Sequence, residues 1–119
     1  MHMIDWNNYR EQVLAGVGGI GKLTPDTTRG YATLSGAGAK TGHLDAKTRE
    51  LIALAAAVTL RCDGCITVHT KAARDHGASQ GEIAEALGVA VALNAGAALV
   101  YSTRVMDAYQ MLEEGKESQ

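Results

Sequence analysis

The sequence predicts an all-α protein with about six helices. Apolar residues recur at steps of three and four along most of the 119 residues, which is the spacing that places them on one helix face. No segment alternates polar and apolar residues with the period of two that is typical of a half-buried strand. No repeat or linker divides the chain, so we expect a single domain over residues 1–119.

The N-terminal third is expected to contain two short helices. The first covers residues 4–14, and four glycines are expected to end it: Gly16, Gly18, Gly19 and Gly21. A second helix is predicted to begin at Thr24-Pro25-Asp26, where a capping hydroxyl precedes a proline and an acid. This helix is expected to fade over residues 35–38, which are rich in glycine.

The middle of the chain carries the clearest helix boundaries. Asp45 is predicted to cap a third helix over residues 46–60, because its side chain can accept a backbone N–H of the first turn. The fourth helix is expected to start near Cys62, to continue to His76 and to stop at Gly77. His76 then lies in the last turn, where a surface capping role is expected.

The C-terminal third is expected to form two helices. Ser79 and Glu82 have the spacing of a capping box and open a helix that runs to about Leu93. Residues 94–96 predict a break or a kink, followed by a sixth helix over about 97–113 and a frayed tail over 113–119. Residues 86–103 contain no charge, but their small side chains favour a buried hairpin or a subunit contact over a membrane span.

Composition narrows the class of partner. The net charge of −2 and the lack of a basic stripe argue against a nucleic acid. A core of mostly Ala, Leu and Val, without Phe, buries little area per residue, so we expect a homo-oligomer whose subunits share a core. Only two cysteines and no signal-peptide pattern predict a reducing, cytoplasmic location.

The two cysteines form the candidate catalytic site. Cys62 and Cys65 are three residues apart, so on a helix their Cα atoms lie roughly 5 Å apart, within disulfide range. A bridge across so short a loop stabilises a fold little, because the entropic effect grows with loop length. A dithiol that opens and closes is therefore the better interpretation.

Two further residues are predicted to assist these thiols. His69 follows Cys65 by one helical turn, so its imidazole can accept the thiol proton, and we assign Cys65 as the nucleophile and Cys62 as the resolving thiol. Glu50 lies 11 residues before Arg61 and His69 lies 8 after it. If the chain reverses there, the mismatch is only about 4–5 Å, so Glu50 can orient His69.

With these residues in place, the sequence resembles the alkylhydroperoxidase D and carboxymuconolactone decarboxylase superfamily. The match covers the helical core, about residues 44–101. Its strongest part is Glu50 within Arg-Glu-Leu-Ile-Ala-Leu, then Cys-Asp-Gly-Cys-Ile-Thr-Val-His over residues 62–69. Gly64 departs from the pattern, because the family's well-characterised peroxidases carry a second histidine at that position.

The resemblance implies an all-α subunit in a trimer or hexamer and thiol peroxidase activity on a hydroperoxide substrate. It implies that Cys65 attacks the peroxide, that Cys62 resolves the sulfenic acid, and that Glu50 and His69 relay protons. No bound cofactor is implied beyond the redox-active disulfide. The implied reductant is an external dithiol, such as a dihydrolipoyl group on a partner protein or a thioredoxin-like protein.

Three alternatives stay open at this point. The decarboxylase branch of the superfamily is a lyase that acts on a carboxylated lactone by proton transfer, and it does not depend on a cysteine pair. A metal site would need a fourth ligand beside Cys62, Cys65 and His69, and none stands out. The third alternative is a helical assembly or redox sensor without catalysis.

Overall fold

The computed structural model describes residues 1–117 and consists, over that range, of five α-helices without a strand. The helices are α1 (Trp6–Leu23), α2 (Pro25–Thr41), α3 (Ala46–Leu60), α4 (Asp63–Asp75) and α5 (Gln80–Glu117). The predicted all-α class is therefore confirmed. The structure has five helices and not six, because the fifth and sixth predicted helices form the single helix α5.

Helix α3 lies at the centre of the packing. Both α4 and α5 pack against it, and α1 packs against α4 and α2. The buried apolar residues are small in number and mostly alanine: Leu54, Ala57, Ala73 and Ala90. The core of one chain is consequently thin, as the composition predicted.

Side-chain caps fix the starts of α3 and α5, as predicted. Asp45 Oδ1 accepts the backbone N–H of Thr48 at 2.8 Å. Ser79 Oγ accepts the N–H of Glu82 at 3.0 Å, and Glu82 Oε1 accepts the N–H of Ser79 at 2.9 Å, which completes the capping box. Glu82 also accepts a hydrogen bond from Lys47 Nζ at 2.7 Å, and this ion pair joins the first turns of α3 and α5.

The expected ends of the first two helices are wrong. Helix α1 continues through its glycines to Leu23, and α2 continues to Thr41, where Gly42 ends it in the left-handed conformation at φ 69°. Glycine lowers helix propensity by only about 1 kcal/mol, and here it also allows close packing. An added Cβ at Gly21 would lie 3.0 Å from Thr28 Oγ1 across the α1–α2 hairpin.

The expected break at residues 94–96 is also wrong, because α5 passes through it as a continuous helix. Asn94 donates from Nδ2 to Ala90 O at 2.7 Å and to Thr59 Oγ1 at 2.9 Å, so its side chain fastens α5 to the end of α3. The tail expected to fray is helical as far as Glu117, and residues 118–119 lie outside the described residues.

The second half of α5 extends beyond the rest of the fold. Helices α3 and α5 run parallel, because contacts at Lys47–Glu82 and Thr59–Asn94 share one register, and α3 ends at Leu60. Every residue over 97–116 is exposed. By length and composition α5 could cross a membrane, although one such helix is weak evidence because core helices of soluble proteins pass the same test.

Candidate functional site

The turn between α3 and α4 places the two cysteines. Arg61 adopts the left-handed conformation at φ 54°, which is uncommon for a residue other than glycine. The backbone N–H of Cys62 donates to Ala57 O at 3.1 Å, so the last turn of α3 holds the residue that follows. The chain reverses at Arg61 as the sequence analysis assumed, and Cys62 becomes the N-cap of α4.

The two cysteines are joined as a disulfide, with their Cα atoms 5.2 Å apart. Cys62 Sγ also accepts the backbone N–H of Cys65 at 3.2 Å, so a sulfur takes the place that an oxygen usually has in an N-cap. Both residues are partly exposed. The pair is therefore within bonding reach, open to solvent and located where the positive end of a helix dipole favours a thiolate.

Glu50 and His69 meet across the α3–α4 interface. Glu50 Oε2 lies 2.6 Å from His69 Nδ1, and the side chains are 22% and 27% exposed. The contact that was predicted from helix spacing is therefore present. With Nδ1 occupied by the carboxylate, His69 presents Nε2 for a further partner. Within residues 1–117 no hydrogen bond joins His69 to either sulfur of the disulfide.

Helix α1 covers the position between the cysteines. A Cβ built on Gly64 would lie 3.3 Å from Val13 Cγ1, so Val13 occupies the space into which a larger side chain would project. The buried hydroxyl of Thr67, on α4, donates to Trp6 O at 3.0 Å and holds the start of α1 against α4. Sequence reasoning missed both contacts, because a glycine and a threonine within a helix carry no signal of a distant partner.

Over the residues that the structure describes, no group of three or more His, Cys, Asp or Glu side chains is arranged to hold a metal ion. Cys62, Cys65 and His69 belong to one helix start and its next turns, while Glu50 is engaged with the imidazole.

Fold and site together define an all-α protein with a helix-start cysteine pair beside a carboxylate–imidazole pair. The sequence profile of the carboxymuconolactone decarboxylase family matches residues 25–108, which include all four site residues. The chain belongs to this family. The matched region also includes all of α2, α3 and α4 and most of α5, so family membership rests on the helices that build the site.

The chain is also similar to two uncharacterised proteins and to the solved structure of one protein of this family. An uncharacterised protein of Haemophilus influenzae is 49% identical over 107 residues, which are 90% of this chain and 95% of that one. An uncharacterised protein of Cupriavidus necator is 30% identical over 80% of this chain and 84% of its own length. The crystal structure of an apo carboxymuconolactone decarboxylase family protein from Legionella pneumophila superposes with TM-score 0.71 at 34% identity, covering 82% of this chain and 88% of that one.

Proposed function

We propose that the protein is a thiol-dependent peroxidase that reduces organic hydroperoxides with the Cys62–Cys65 pair. The observation that carries this proposal is the combination of a partly exposed disulfide at a helix start with the Glu50–His69 contact. A disulfide across so short a loop contributes little to stability, so its value lies in opening and closing. The acid–imidazole pair supplies a means of moving the protons that thiol chemistry releases.

The reaction begins with both thiols reduced. The Cys65 thiolate attacks a peroxide oxygen, the O–O bond breaks, and the alkoxide leaves as an alcohol after taking a proton. Cys65 is then a sulfenic acid. The Cys62 thiolate attacks that sulfur, hydroxide leaves as water after protonation, and the disulfide forms. Peroxide thus gains the two electrons that the thiols lose.

We assign Cys65 as the attacking thiol because His69 follows it by one helical turn, and Glu50 as the residue that orients His69. Because His69 Nδ1 contacts Glu50, Nε2 of His69 is the nitrogen that would exchange a proton with the thiol or the leaving group. Cys62 is the resolving thiol in this scheme. The two Cα atoms are 5.2 Å apart and both residues lie at the start of α4, so the two sulfurs stay within reach of each other when the disulfide opens.

Turnover requires an external reductant, and we propose a dithiol carried by a partner protein, either a dihydrolipoyl group or a thioredoxin-like domain. Such a dithiol attacks the exposed disulfide through a mixed disulfide and takes its place as the oxidised species. This recycling belongs in a reducing compartment, which is why we place the protein in the cytoplasm.

The test is a thiol count combined with a peroxide assay. The reduced protein should lose both free thiols on addition of one equivalent of cumene hydroperoxide and yield one equivalent of the alcohol. Added dihydrolipoamide should make the consumption catalytic, and Cys65→Ser should abolish it. Retention of both thiols in the presence of excess hydroperoxide would overturn the proposal.

The family name favours a second candidate, a lyase that uses Glu50 and His69 for proton transfer at a carboxylated lactone. This candidate gives the cysteines no role. A variant that lacks both thiols, Cys62→Ser with Cys65→Ser, distinguishes the two: a decarboxylase retains its activity in this variant, and a thiol peroxidase loses it.

We propose further that the working form is a homo-oligomer, a trimer or a hexamer, held together by α5. A compact 12.4 kDa protein exposes about 6,100 Å², whereas this chain exposes 9439 Å². Its radius of gyration is 20.4 Å, against about 13–14 Å for a compact chain of this length. A standard interface buries about 800 Å² per partner, so the excess is sufficient for contacts with several copies.

The second half of α5 has the character of an interior helix. Large apolar side chains cover most of its circumference and are 60% or more exposed, among them Leu99, Val100, Tyr101, Val105 and Met106. A helix with so wide an apolar surface belongs in a protein core or a membrane. Arg104 and Asp107 lie within this segment, and charges are costly in lipid, so we favour a core shared between copies.

A further inference from the structure

A cleft lies between the first turns of α1 and the face of α4 that runs from Ile66 to Asp75. Its volume is about 490 Å³, within the range of about 300–1,000 Å³ that is typical of small-molecule sites. Trp6 and Arg10 line it from α1, and Ile66, Lys71 and Arg74 line it from α4. Ile66 follows Cys65 directly in the chain, but neither cysteine lines the cleft, and nor does Glu50 or His69, so the cleft is distinct from the redox site.

The charge in this cleft is positive and largely unpaired. Lys71 Nζ and Asp75 Oδ2 form an ion pair at 2.6 Å and satisfy each other. Arg10 donates only to the neutral side chain of Asn7, at 3.0 Å. Within residues 1–117 the guanidinium of Arg74 makes no hydrogen bond and no ion pair. Two guanidinium groups therefore line one cleft of a chain whose net charge is −2.

The electrostatics of Asp75 are consistent with this picture. Its pKa is lowered chiefly by the hydrogen bond from Lys71, with further contributions from Arg74 and His76. Asp75 thus stays ionised and engaged with Lys71. The arginines are left for a ligand.

The floor of the cleft is apolar and held in place. Trp6 and Ile66 are half-buried. The hydroxyl of Thr67, which is only 3% exposed, donates to the backbone carbonyl of Trp6 at 3.0 Å and holds the backbone of that residue against α4. The cleft therefore combines a half-buried indole with two arginine forks, and each fork can bind a carboxylate or phosphate through two parallel hydrogen bonds.

We propose that this cleft binds a small organic anion. The apolar or aromatic part of the ligand packs against Trp6 and Ile66, and its carboxylate or phosphate accepts hydrogen bonds from Arg10 and Arg74. This site is an addition to the thiol chemistry. It requires no redox step and no participation of the cysteines.

Trp6 is the only tryptophan in the chain, so its fluorescence reports on the cleft directly. The experiment titrates the wild-type protein with benzoate, phenyl phosphate, uncharged benzamide and inorganic phosphate. A saturable change in emission is expected with benzoate or phenyl phosphate, and a response to one of them alone identifies the preferred anion. Arg10→Gln and Arg74→Gln should each weaken binding by about tenfold or more, because each removes a charge-assisted hydrogen bond to the anion. Arg29→Gln, which removes an exposed arginine of α2 paired with Asp26, should bind as the wild type does.

Four results would overturn the proposal. These are no saturable change with either organic anion, binding of benzamide as tight as that of the preferred anion, binding of inorganic phosphate as tight as that of the preferred anion, and unchanged affinity in both arginine variants. Circular dichroism of each variant verifies that the helices are intact. Because the readout does not use the thiols, it stands or falls independently of the proposed peroxidase activity.

Discussion

The α3–α4 pair and the second half of α5 are both helical, but they differ in whether their side chains find partners within the chain. On the α3–α4 pair, polar groups find partners within the chain: Glu50 meets His69, and Cys62 caps the helix that carries Cys65. On α5 beyond Asn94, large apolar groups are exposed over most of the helix surface. One chain is sufficient to bring the reactive groups together, whereas we propose that a second copy covers the exposed half of α5, residues 97–116, which is called the arm below.

The largest expected effect is on the arm. Leu99→Glu places a charge on the apolar surface of α5, and a buried unpaired carboxylate is costly. We expect this variant to dissociate to a monomer near 12.4 kDa when measured by light scattering at micromolar concentration. Leu34→Glu is the matched control, since Leu34 of α2 is 76% exposed and Leu99 is 74% exposed. A wild-type protein that is monomeric, or two variants that behave alike, would contradict the assignment of the arm.

The next effect concerns the imidazole. His69→Ala should slow the reaction of Cys65 with hydroperoxide by about 10²-fold or more, the lower range for a positioned acid or base. It should also move the alkylation of Cys65 by iodoacetamide to higher pH, measured by mass spectrometry of the peptide. His76→Ala, an exposed histidine at the far end of the same helix, is the control. An unchanged alkylation profile would mean that the helix start alone activates the thiol.

Glu50→Gln should act in the same direction but more weakly, because it removes the group that orients His69 and leaves the imidazole in place. The double variant His69→Ala with Glu50→Gln should lose less than the two single losses combined, since the pair acts as a unit. Strict additivity of the logarithms of the rates would contradict a relay.

A smaller effect is expected on stability at low pH. The hydrogen bond from Lys47 lowers the pKa of Glu82 below its ordinary value of 4.5. Between the pKa of Glu82 in the folded chain and its ordinary value of 4.5, the unfolded chain therefore binds more protons than the folded chain. The stability that Glu82 contributes is present above pH 4.5 and is lost as the pH falls through the pKa of the folded chain. In Glu82→Gln the urea midpoint should decline less between neutral pH and that range than in the wild type. Glu85→Gln, one turn further along α5, should follow the wild type.

Much of the central architecture could be predicted because its signals are local. Helix starts can be recognised from the side chains that cap them, as at Asp45, Ser79 and Glu82. The Glu50–His69 contact follows from counting residues on either side of the turn between α3 and α4. The errors fall where glycine or asparagine was expected to break a helix. Gly21 and Asn94 instead make contacts with neighbouring helices, and such contacts override local propensity.

What the sequence could not predict depends on packing between distant segments. Nothing near Gly64 indicates that Val13 of α1 fills the adjacent space, and nothing near Trp6 indicates that Thr67 holds it. The sequence also gives no sign of the left-handed conformation of Arg61, because arginine is not a residue that favours it. The cleft at Arg10 and Arg74 arises from the same α1–α4 contact and was likewise absent from the sequence analysis.

The central claim is that Cys65 attacks the peroxide and Cys62 resolves it, and single-thiol variants test it most directly. Reduced Cys62→Ser and Cys65→Ser are each treated with one equivalent of cumene hydroperoxide in the presence of dimedone, and the intact mass is measured. We expect Cys62→Ser to consume about one equivalent and to carry one dimedone adduct on Cys65, because its sulfenic acid has no resolving thiol. Cys65→Ser should consume none and remain unmodified. An adduct on Cys62 in the Cys65→Ser protein, with none in Cys62→Ser, would reverse the roles of the two cysteines.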